Sequence, residues 1–173
     1  MTDFVPTIKT ADEFDRYYKA DFWRARAEAV CRRHQLSPAN LARAGGSEHV
    51  VFLTDTGATD DFVIKFYAPF RGGFRREKSG IEFAHGRTSL PVPEILGEGE
   101  IEGFDYLIFR RLEGVLMTRE TWLGLQKGRQ IEVVAKLAAG LKELHSHEFQ
   151  SVDFDWHKFV ETQAASAFER QKA

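Results

Sequence analysis

The sequence predicts an α+β fold in which an antiparallel sheet carries one packed helix, with further helices before and after it. The hydrophobic spacing is helical up to residue 36, shortens toward a period of two between Leu41 and Leu112, and becomes helical again after Gly114. Within the central region, strands and one helix follow the order β, β, α, β, β with hairpin-length links. Links this short join antiparallel strands, so the single helix is expected to pack on the sheet.

Residues 10–36 have helical spacing throughout. Thr10 and Glu13 stand at the separation of a capping box, and Ser37-Pro38 follows the segment as an end signal. Two apolar stripes lie within it, the first with Phe14, Tyr17 and Tyr18 and the second with Trp23, Ala27, Val30 and Cys31. We therefore expect a helical N-terminal segment.

The central region contains short apolar runs separated by turn residues. Residues 50–53 and 62–67 are rich in β-branched and aromatic residues, and 55–61 reads as the link between them. Residues 73–85 return to helical spacing, and two further strand segments, EILGEGEI and FDYLIFRRL, flank a turn at 102–103. These segments form the predicted sheet and its helix.

The last third of the chain is again helical in pattern. Residues 131–145 carry one apolar stripe typical of a well-buried helix, and 158–168 carry a second. The two stripes consist of Val134, Leu137, Leu141 and Leu144, and of Phe159, Val160, Ala164 and Phe168. Such faces need a covering partner, so we expect either a further lobe or self-association through them.

Composition excludes several classes of protein. The chain has 173 residues, 43% of them hydrophobic, with interspersed charges and a formal net charge of −2. A packed core is therefore expected, and a basic face for nucleic acid or anionic membrane is not. No apolar run approaches the roughly 18 residues of a membrane span. The single cysteine, Cys31, excludes an internal disulfide and favours a packed residue in a cytoplasmic protein.

Lys65 is the first residue whose position suggests chemistry. It lies in a strand with apolar neighbours, and Val63 and Tyr67 share its face. A buried ammonium needs a partner, whereas a lysine on an edge strand can extend its ammonium to water. Both interpretations are open from the strand alone.

Glu77 would be a suitable partner for Lys65. In a helix over 73–85 it lies between Phe74 and Ile81, on the side that packs against the sheet, whereas Glu82 points closer to solvent. Its alternative partners are its basic neighbours Arg75, Arg76 and Lys78.

A glycine pair precedes the first strand run. Gly45 and Gly46 lie in the segment 44–49, where glycine lets backbone N–H groups approach an anion such as phosphate. Hairpin glycines are more often simple turns, and neither the P-loop nor the dinucleotide fingerprint is present. The glycine turn, the strand lysine and the inward glutamate together match the nucleotide-clamping layout of kinase folds.

The blocks GGSEHVVFL, DDFVIKFY, RREKSGIEFAHG, LPVPEILGEGEIEGFDYLIFRRLEG and LAAGLKELHS follow one another between residues 41 and 147. In this order they resemble the aminoglycoside phosphotransferase family, the bacterial small-molecule branch of the protein-kinase-like fold. The resemblance implies a kinase-like N-lobe at 41–112, a helical extension at 1–40, and the linker and first helices of an incomplete C-lobe at 113–173. It also implies ATP and Mg²⁺ as cofactors, and a small-molecule hydroxyl as phosphoryl acceptor in a complete protein.

The resemblance implies roles for individual residues. The nucleotide-covering loop would include Gly45, Gly46 and Ser47, Lys65 would bind the α- and β-phosphates, and Glu77 would hold Lys65. Residues 109–112 would be the hinge, where the Arg110 carbonyl and the Leu112 N–H would bind adenine. Backbone recognition leaves the side chains of Arg110 and Arg111 unconstrained, which is compatible with their being ordinary solvated strand-end charges.

The catalytic motifs of that family are not found. The sequence has no H-G-D-x-x-x-x-N loop, and Asp153 and Asp155 follow the preceding helix too soon to be its metal-binding aspartate. The segment 145–148 lacks the spacing of a zinc helix. We therefore expect an ATP-binding N-terminal portion without catalytic residues or Mg²⁺ ligands, inactive alone. A non-catalytic binding or regulatory module is the alternative, and an α+β domain that binds no nucleotide is a third possibility.

Overall fold

The structure, a computed structural model, describes residues 8–19, 21–45, 49–69, 73–148, 160, 161 and 164. Its helices are α1 (Ala11–Tyr17), α2 (Phe22–Arg33), α3 (Gly73–Ala84), α4 (Arg119–Gly124) and α5 (Lys127–His145). Its strands are β1 (Ala42–Arg43), β2 (Val50–Leu53), β3 (Phe62–Phe66), β4 (Ile95–Ile101) and β5 (Phe104–Arg110). The predicted α+β class is confirmed.

The five strands form one antiparallel sheet in the order β1-β2-β3-β5-β4. Four of them fall where the sequence predicts strands. The fifth, β1, is new: it pairs Ala42 with Leu53 and Arg43 with Phe52. A strand of two residues is too short to show any periodicity, which is why the sequence does not reveal it.

The helical segment predicted over 10–36 forms two helices, α1 and α2, with a break between them. The capping box of α1 is present, because the Glu13 N–H donates to Thr10 Oγ1 at 3.2 Å and the Thr10 N–H donates to Glu13 Oε2 at 3.1 Å. The chain turns after α1, and the Trp23 indole N–H donates to the Tyr17 carbonyl at 2.9 Å. The break thus lets the indole N–H of the buried Trp23 hydrogen-bond a carbonyl at the end of α1.

The end of α2 also differs from the prediction. Gln35 adopts a left-handed conformation with φ of 57°, and the Leu36 N–H donates to the Cys31 carbonyl at 2.9 Å. This closure ends the helix at Arg33, before the Ser37-Pro38 signal is reached.

One face of the sheet packs against α1 and α2. Trp23 is fully buried, with its ring centroid 5.6 Å from that of Phe66 and 4.8 Å from that of Phe104. Cys31 is buried in the same core, as predicted, and burial, followed by the charge of Glu28, raises the pKa of its thiol to about 11. The sheet contributes Val50, Phe52, Phe62, Ile64, Phe66, Phe104, Tyr106 and Ile108 to this core.

Two glycines of β4 make room for side chains that pack against this strand. A Cβ at Gly97 would lie 2.7 Å from His34 Nδ1, and one at Gly99 would lie 2.5 Å from the Tyr106 hydroxyl. His34 Nε2 and that hydroxyl are themselves 2.9 Å apart. The glycines of the GEG run are therefore required by packing rather than by a turn.

The opposite face of the sheet packs against α3. Tyr67, Leu107 and Phe109 are buried there, with Phe74 and Ile81 of α3 against them. Side chains alternate along a strand, so β3 contributes to the cores on both faces of the sheet. Phe62, Ile64 and Phe66 face α1 and α2. Val63 and Lys65, with Tyr67 directly after the strand, face α3.

The C-terminal part differs from the prediction in the bounds of its helices. Helix α5 begins at Lys127 rather than 131, and α4 precedes it with Thr118 as its cap. About half of each of Val134, Leu137 and Leu141 is exposed, so this apolar stripe is uncovered among the described residues. Most of 158–168 lies outside the described residues. Among the helices that the structure describes, none is long and apolar enough to cross a bilayer.

The segment before β4 connects the sheet to α5. The Thr88 hydroxyl donates to the Gly140 carbonyl at 3.2 Å, and the Ser89 N–H donates to the Glu143 carboxylate. Leu90 lies directly on Gly140, the one described residue of α5 that is buried. A side chain at Gly140 would occupy the space of Leu90.

Gly140→Ala is expected to destabilise this contact by about 1–3 kcal/mol, since the new methyl group overlaps Leu90. The measurement is urea unfolding combined with hydrogen exchange of the Thr88–Leu90 amides. Gly128→Ala is the matched control in the same helix, because its Cβ would meet nothing within 4 Å. An equal effect of the two substitutions would contradict the assigned contact.

Candidate functional site

Lys65 is held in the middle of the sheet. It pairs in register with Val51 of β2 and Leu107 of β5, so β3 is a central strand and the edge-strand interpretation is wrong. Its ammonium contacts the Glu77 carboxylate, with Nζ 2.6 Å from Oε2. The structure thus brings together the two charged residues that the sequence singles out.

Lys78, one of the alternative partners for Glu77 within α3, is engaged elsewhere. Lys78 pairs with Glu98 of β4 at 2.6 Å, and it lies 3.8 Å from Glu82, whose side chain is mostly exposed. The hydrogen bond to Glu98 raises the pKa of Lys78. The same bond directs the Lys78 ammonium to β4 rather than to Glu77. As expected from the helical spacing, Glu77 faces the sheet and Glu82 does not.

The ion pair lies at the boundary between core and solvent. The exposed fractions are 20% for the Lys65 side chain and 31% for that of Glu77. An ammonium carries three donors, and Glu77 accepts from one of them. The remaining donors suit an anion with several acceptor oxygens, such as a phosphate.

The glycine loop begins where β1 ends. The Ala44 N–H donates to the Val51 carbonyl at 3.0 Å, which extends the strand pairing to the start of the loop. A Cβ at Gly45 would meet nothing within 4 Å, so Gly45 borders open space. Gly46 and Ser47 lie outside the described residues. At the far end, the His49 carbonyl accepts from the Tyr18 hydroxyl at 3.3 Å.

The predicted hinge follows β5. The Arg110 N–H donates to the Glu94 carbonyl at 2.8 Å, and the Arg111 N–H donates to the Asp61 carbonyl at 2.9 Å. In the part of the chain that the structure describes, no hydrogen bond engages the Leu112 N–H. That N–H can therefore serve an external acceptor.

The side chains of Arg110 and Arg111 form specific contacts and are not only solvated charges at a strand end. Arg110 pairs with Glu94 at 2.8 Å and donates to the Thr59 carbonyl at 3.0 Å, and Arg111 pairs with Asp55. Thr59 and Asp55 belong to the link between β2 and β3. The arginines therefore fasten this link to the hinge.

Asp61 is a residue of this network that the sequence does not single out. Its buried carboxylate accepts from the Thr56 N–H at 2.8 Å, the Thr56 hydroxyl at 2.9 Å and the Gly57 N–H at 3.0 Å. Burial acts to raise the pKa of Asp61, but these bonds and one from Thr54 outweigh it and lower the pKa. The signal was present in the run of Thr and Gly before an aspartate, which is typical of a side-chain-capped turn.

Metal ligands are not gathered in the described part of the chain. No three described His, Cys, Asp or Glu residues are placed to hold an ion together. His145 and His147 line a pocket of about 490 Å³ with Gly80, Phe83 and Leu144, which is largely apolar. Asp153 and Asp155 lie outside the described residues. The described residues therefore do not fit an Mg²⁺ site.

Comparison with known proteins identifies the family. A family model described as the APH phosphotransferase enzyme family matches residues 39–173. The chain belongs to this family. No match to a curated protein is found. The APH match begins just before β1 and includes the sheet, α3 and α5, whereas α1 and α2 precede it. The predicted family and the kinase-like phosphotransferase class are thereby confirmed.

The Asp61 network predicts an acid-dependent stability. A lowered pKa means that the folded state binds its proton less tightly than the unfolded state. The stabilising contribution is therefore complete above the ordinary aspartate pKa of about 4 and is lost as the pH falls toward the lower folded value. Asp61→Asn should lower the unfolding midpoint at pH 6 and flatten its decline between pH 5 and pH 3.

The measurement is thermal unfolding followed by circular dichroism across that pH range. Asp60→Asn, at the exposed neighbouring position, is the control and should keep the wild-type profile. A wild-type profile for Asp61→Asn would show that the carboxylate does not brace the turn.

Proposed function

We propose that this chain provides the ATP-binding lobe of a small-molecule kinase of the APH family, which transfers a phosphoryl group from ATP to a hydroxyl. The observation that carries the proposal is the Lys65–Glu77 ion pair at 2.6 Å, on the sheet face that also presents α3. A lysine held by a carboxylate is oriented by it, and a fixed ammonium binds phosphate oxygens better than a mobile one.

The proposed nucleotide pose uses both ends of this face. Lys65 would bind the α- and β-phosphates, with Glu77 orienting it. Near the hinge, the Arg110 carbonyl and the Leu112 N–H would hold the adenine edge. The loop with Gly45, Gly46 and Ser47 would cover the phosphates. The Arg111–Asp61 contacts support this pose by fastening the hinge to the β2–β3 link.

The phosphoryl-transfer step needs groups beyond this lobe. The APH family generally uses Mg²⁺, which neutralises phosphate charge. The described residues offer no ligand cluster for this ion. The sequence also has no H-G-D triplet. We accordingly propose that the chain alone does not catalyse turnover. We also propose that it consists of three segments, 1–40, 41–112 and 113–173, and that the protein is cytoplasmic.

A non-catalytic binding module is the second candidate. The observation that favours it is the exposed apolar surface of the C-terminal part, which includes Leu116 and Leu137. A module that works through this surface would bind a protein partner whether or not nucleotide is present. Both candidates predict that the chain does not hydrolyse or transfer phosphate from Mg-ATP. Turnover of Mg-ATP with small alcohols, if Lys65→Met abolished it, would refute both the inactive ATP-binding lobe and the non-catalytic module.

The wild-type protein is expected to bind ATP saturably. Lys65→Met is expected to raise the dissociation constant for ATP about tenfold or more, because a charge-assisted contact to phosphate is lost. Isothermal titration calorimetry with ATP measures the constant. Circular dichroism shows whether the variant is folded.

Lys136→Met is the matched control for this titration. Lys136 lies on the exposed surface of α5, away from Glu77, so its replacement removes one positive charge without touching the proposed site. It should keep wild-type affinity. An absence of saturable ATP binding by the wild type would remove the nucleotide proposal for this chain.

The exposed α5 face predicts concentration-dependent self-association. Leu137→Lys places a charge in the centre of the apolar stripe and should shift the protein toward monomer, because association would have to bury that charge. Sedimentation velocity over a hundredfold range of concentration measures this. Lys136→Glu, at a charged position of the same helix, is the control, and identical sedimentation of wild type and Leu137→Lys would contradict the prediction.

A further inference from the structure

Tyr67 stands between three parts of the candidate site. It follows β3 two positions after Lys65, and its N–H continues the strand pairing by donating to the Asp105 carbonyl at 2.8 Å. Its ring centroid lies 5.5 Å from that of Phe74 in α3, 5.0 Å from that of His49 and 5.2 Å from Lys65 Nζ. One side chain thus contacts the strand lysine, the helix and the far end of the glycine loop.

The Tyr67 hydroxyl is buried without a hydrogen-bond partner among the described residues. The residue is only 2% exposed, and an unsatisfied buried hydroxyl is unfavourable. Such a group calls for an explanation, because folded proteins rarely retain one.

The acceptor beside the Tyr67 hydroxyl is the Glu77 carboxylate. Burial, and after it the negative charge of Glu77, raises the pKa of Tyr67 above its ordinary value, so the phenol keeps its proton and remains a donor. Lys65 contacts Oε2 of Glu77, and a carboxylate accepts at both oxygens. A phosphate that competes for the Lys65 ammonium would leave Glu77 short of a donor, and the Tyr67 hydroxyl is the buried donor beside it.

We propose that Tyr67 is a positioning residue of this site: its ring supports the Lys65 side chain, and its hydroxyl donates to Glu77 when Lys65 turns toward an anion. Tyr67 itself does not touch the phosphate. It keeps Glu77 in place between β3 and α3 while the lysine changes partner. The role of the hydroxyl in this inference rests on the proposed function, whereas the support of Lys65 by the ring does not.

The test compares Tyr67→Phe, which removes only the hydroxyl, with Tyr67→Leu, which removes the ring as well. Tyr17→Phe is the matched control, since it removes a tyrosine hydroxyl from α1 on the opposite side of the sheet. The first readout needs no nucleotide: mass spectrometry follows acetylation of Lys65 by an amine-reactive ester, with Glu77→Gln as the reference for a lysine that has lost its restraint. The second readout is the dissociation constant for ATP.

We expect Tyr67→Phe to be folded and as stable as the wild type. Without nucleotide it should keep the wild-type Lys65 acetylation rate, because its ring remains and its hydroxyl is needed only when Lys65 turns toward an anion. Its ATP dissociation constant should rise about threefold to tenfold, the loss of one hydrogen bond to a charged group. Tyr67→Leu should in addition raise the Lys65 acetylation rate in the direction of Glu77→Gln. Tyr17→Phe should match the wild type in both.

Wild-type acetylation in Tyr67→Leu, with an increase in Glu77→Gln, would overturn the support of Lys65 by the ring. Unchanged acetylation in Glu77→Gln would overturn the positioning role too, because Glu77 would then not restrain Lys65. An unchanged ATP dissociation constant in Tyr67→Phe, with saturable binding by the wild type, would overturn the role of the hydroxyl. If the wild type binds no ATP, the proposed function fails, and the acetylation arm still decides whether the ring supports Lys65. A purely structural tyrosine would change the unfolding midpoint of Tyr67→Leu without changing Lys65 reactivity.

Discussion

The ion pair between Lys65 and Glu77 is the contact that fixes the proposed nucleotide-binding face of this protein. It joins a central strand to the one helix that packs on that side of the sheet, with 2.6 Å between the charged atoms. A partly buried charge left without its partner would be strongly unfavourable, so strand and helix must keep their relative rotation. The orientation of α3, the placement of Tyr67 and the direction of the spare lysine donors all depend on this constraint.

The opposite face of the sheet makes that constraint possible. Helices α1 and α2 cover it with an aromatic core around Trp23, so β3 is held from one side by apolar packing and can present Lys65 on the other. The hinge is braced independently, through the Arg111 N–H on the Asp61 carbonyl. In the proposed nucleotide pose, the phosphate and adenine positions are thus set by separate contacts on one sheet.

Much of this could be predicted because alternation and helical spacing report directly on burial. The strand containing Lys65 and the inward direction of Glu77 follow from periodicity alone. The two-residue β1, the break between α1 and α2, and the left-handed Gln35 could not, because tertiary contacts decide them: strand pairing for β1, and the buried Trp23 for the break. The role of Asp61 does not follow from pairing charged side chains, because its carboxylate accepts from two backbone N–H groups and a threonine hydroxyl.

The central claim is that Lys65 and Glu77 act as one unit toward phosphate. A double-mutant cycle on ATP affinity with Lys65→Met, Glu77→Gln and the combined variant tests it most directly. If the glutamate acts only by orienting the lysine, the double variant binds ATP no more weakly than Lys65→Met. Additive losses in the double variant would show that the two residues act separately, and would contradict this account of the site.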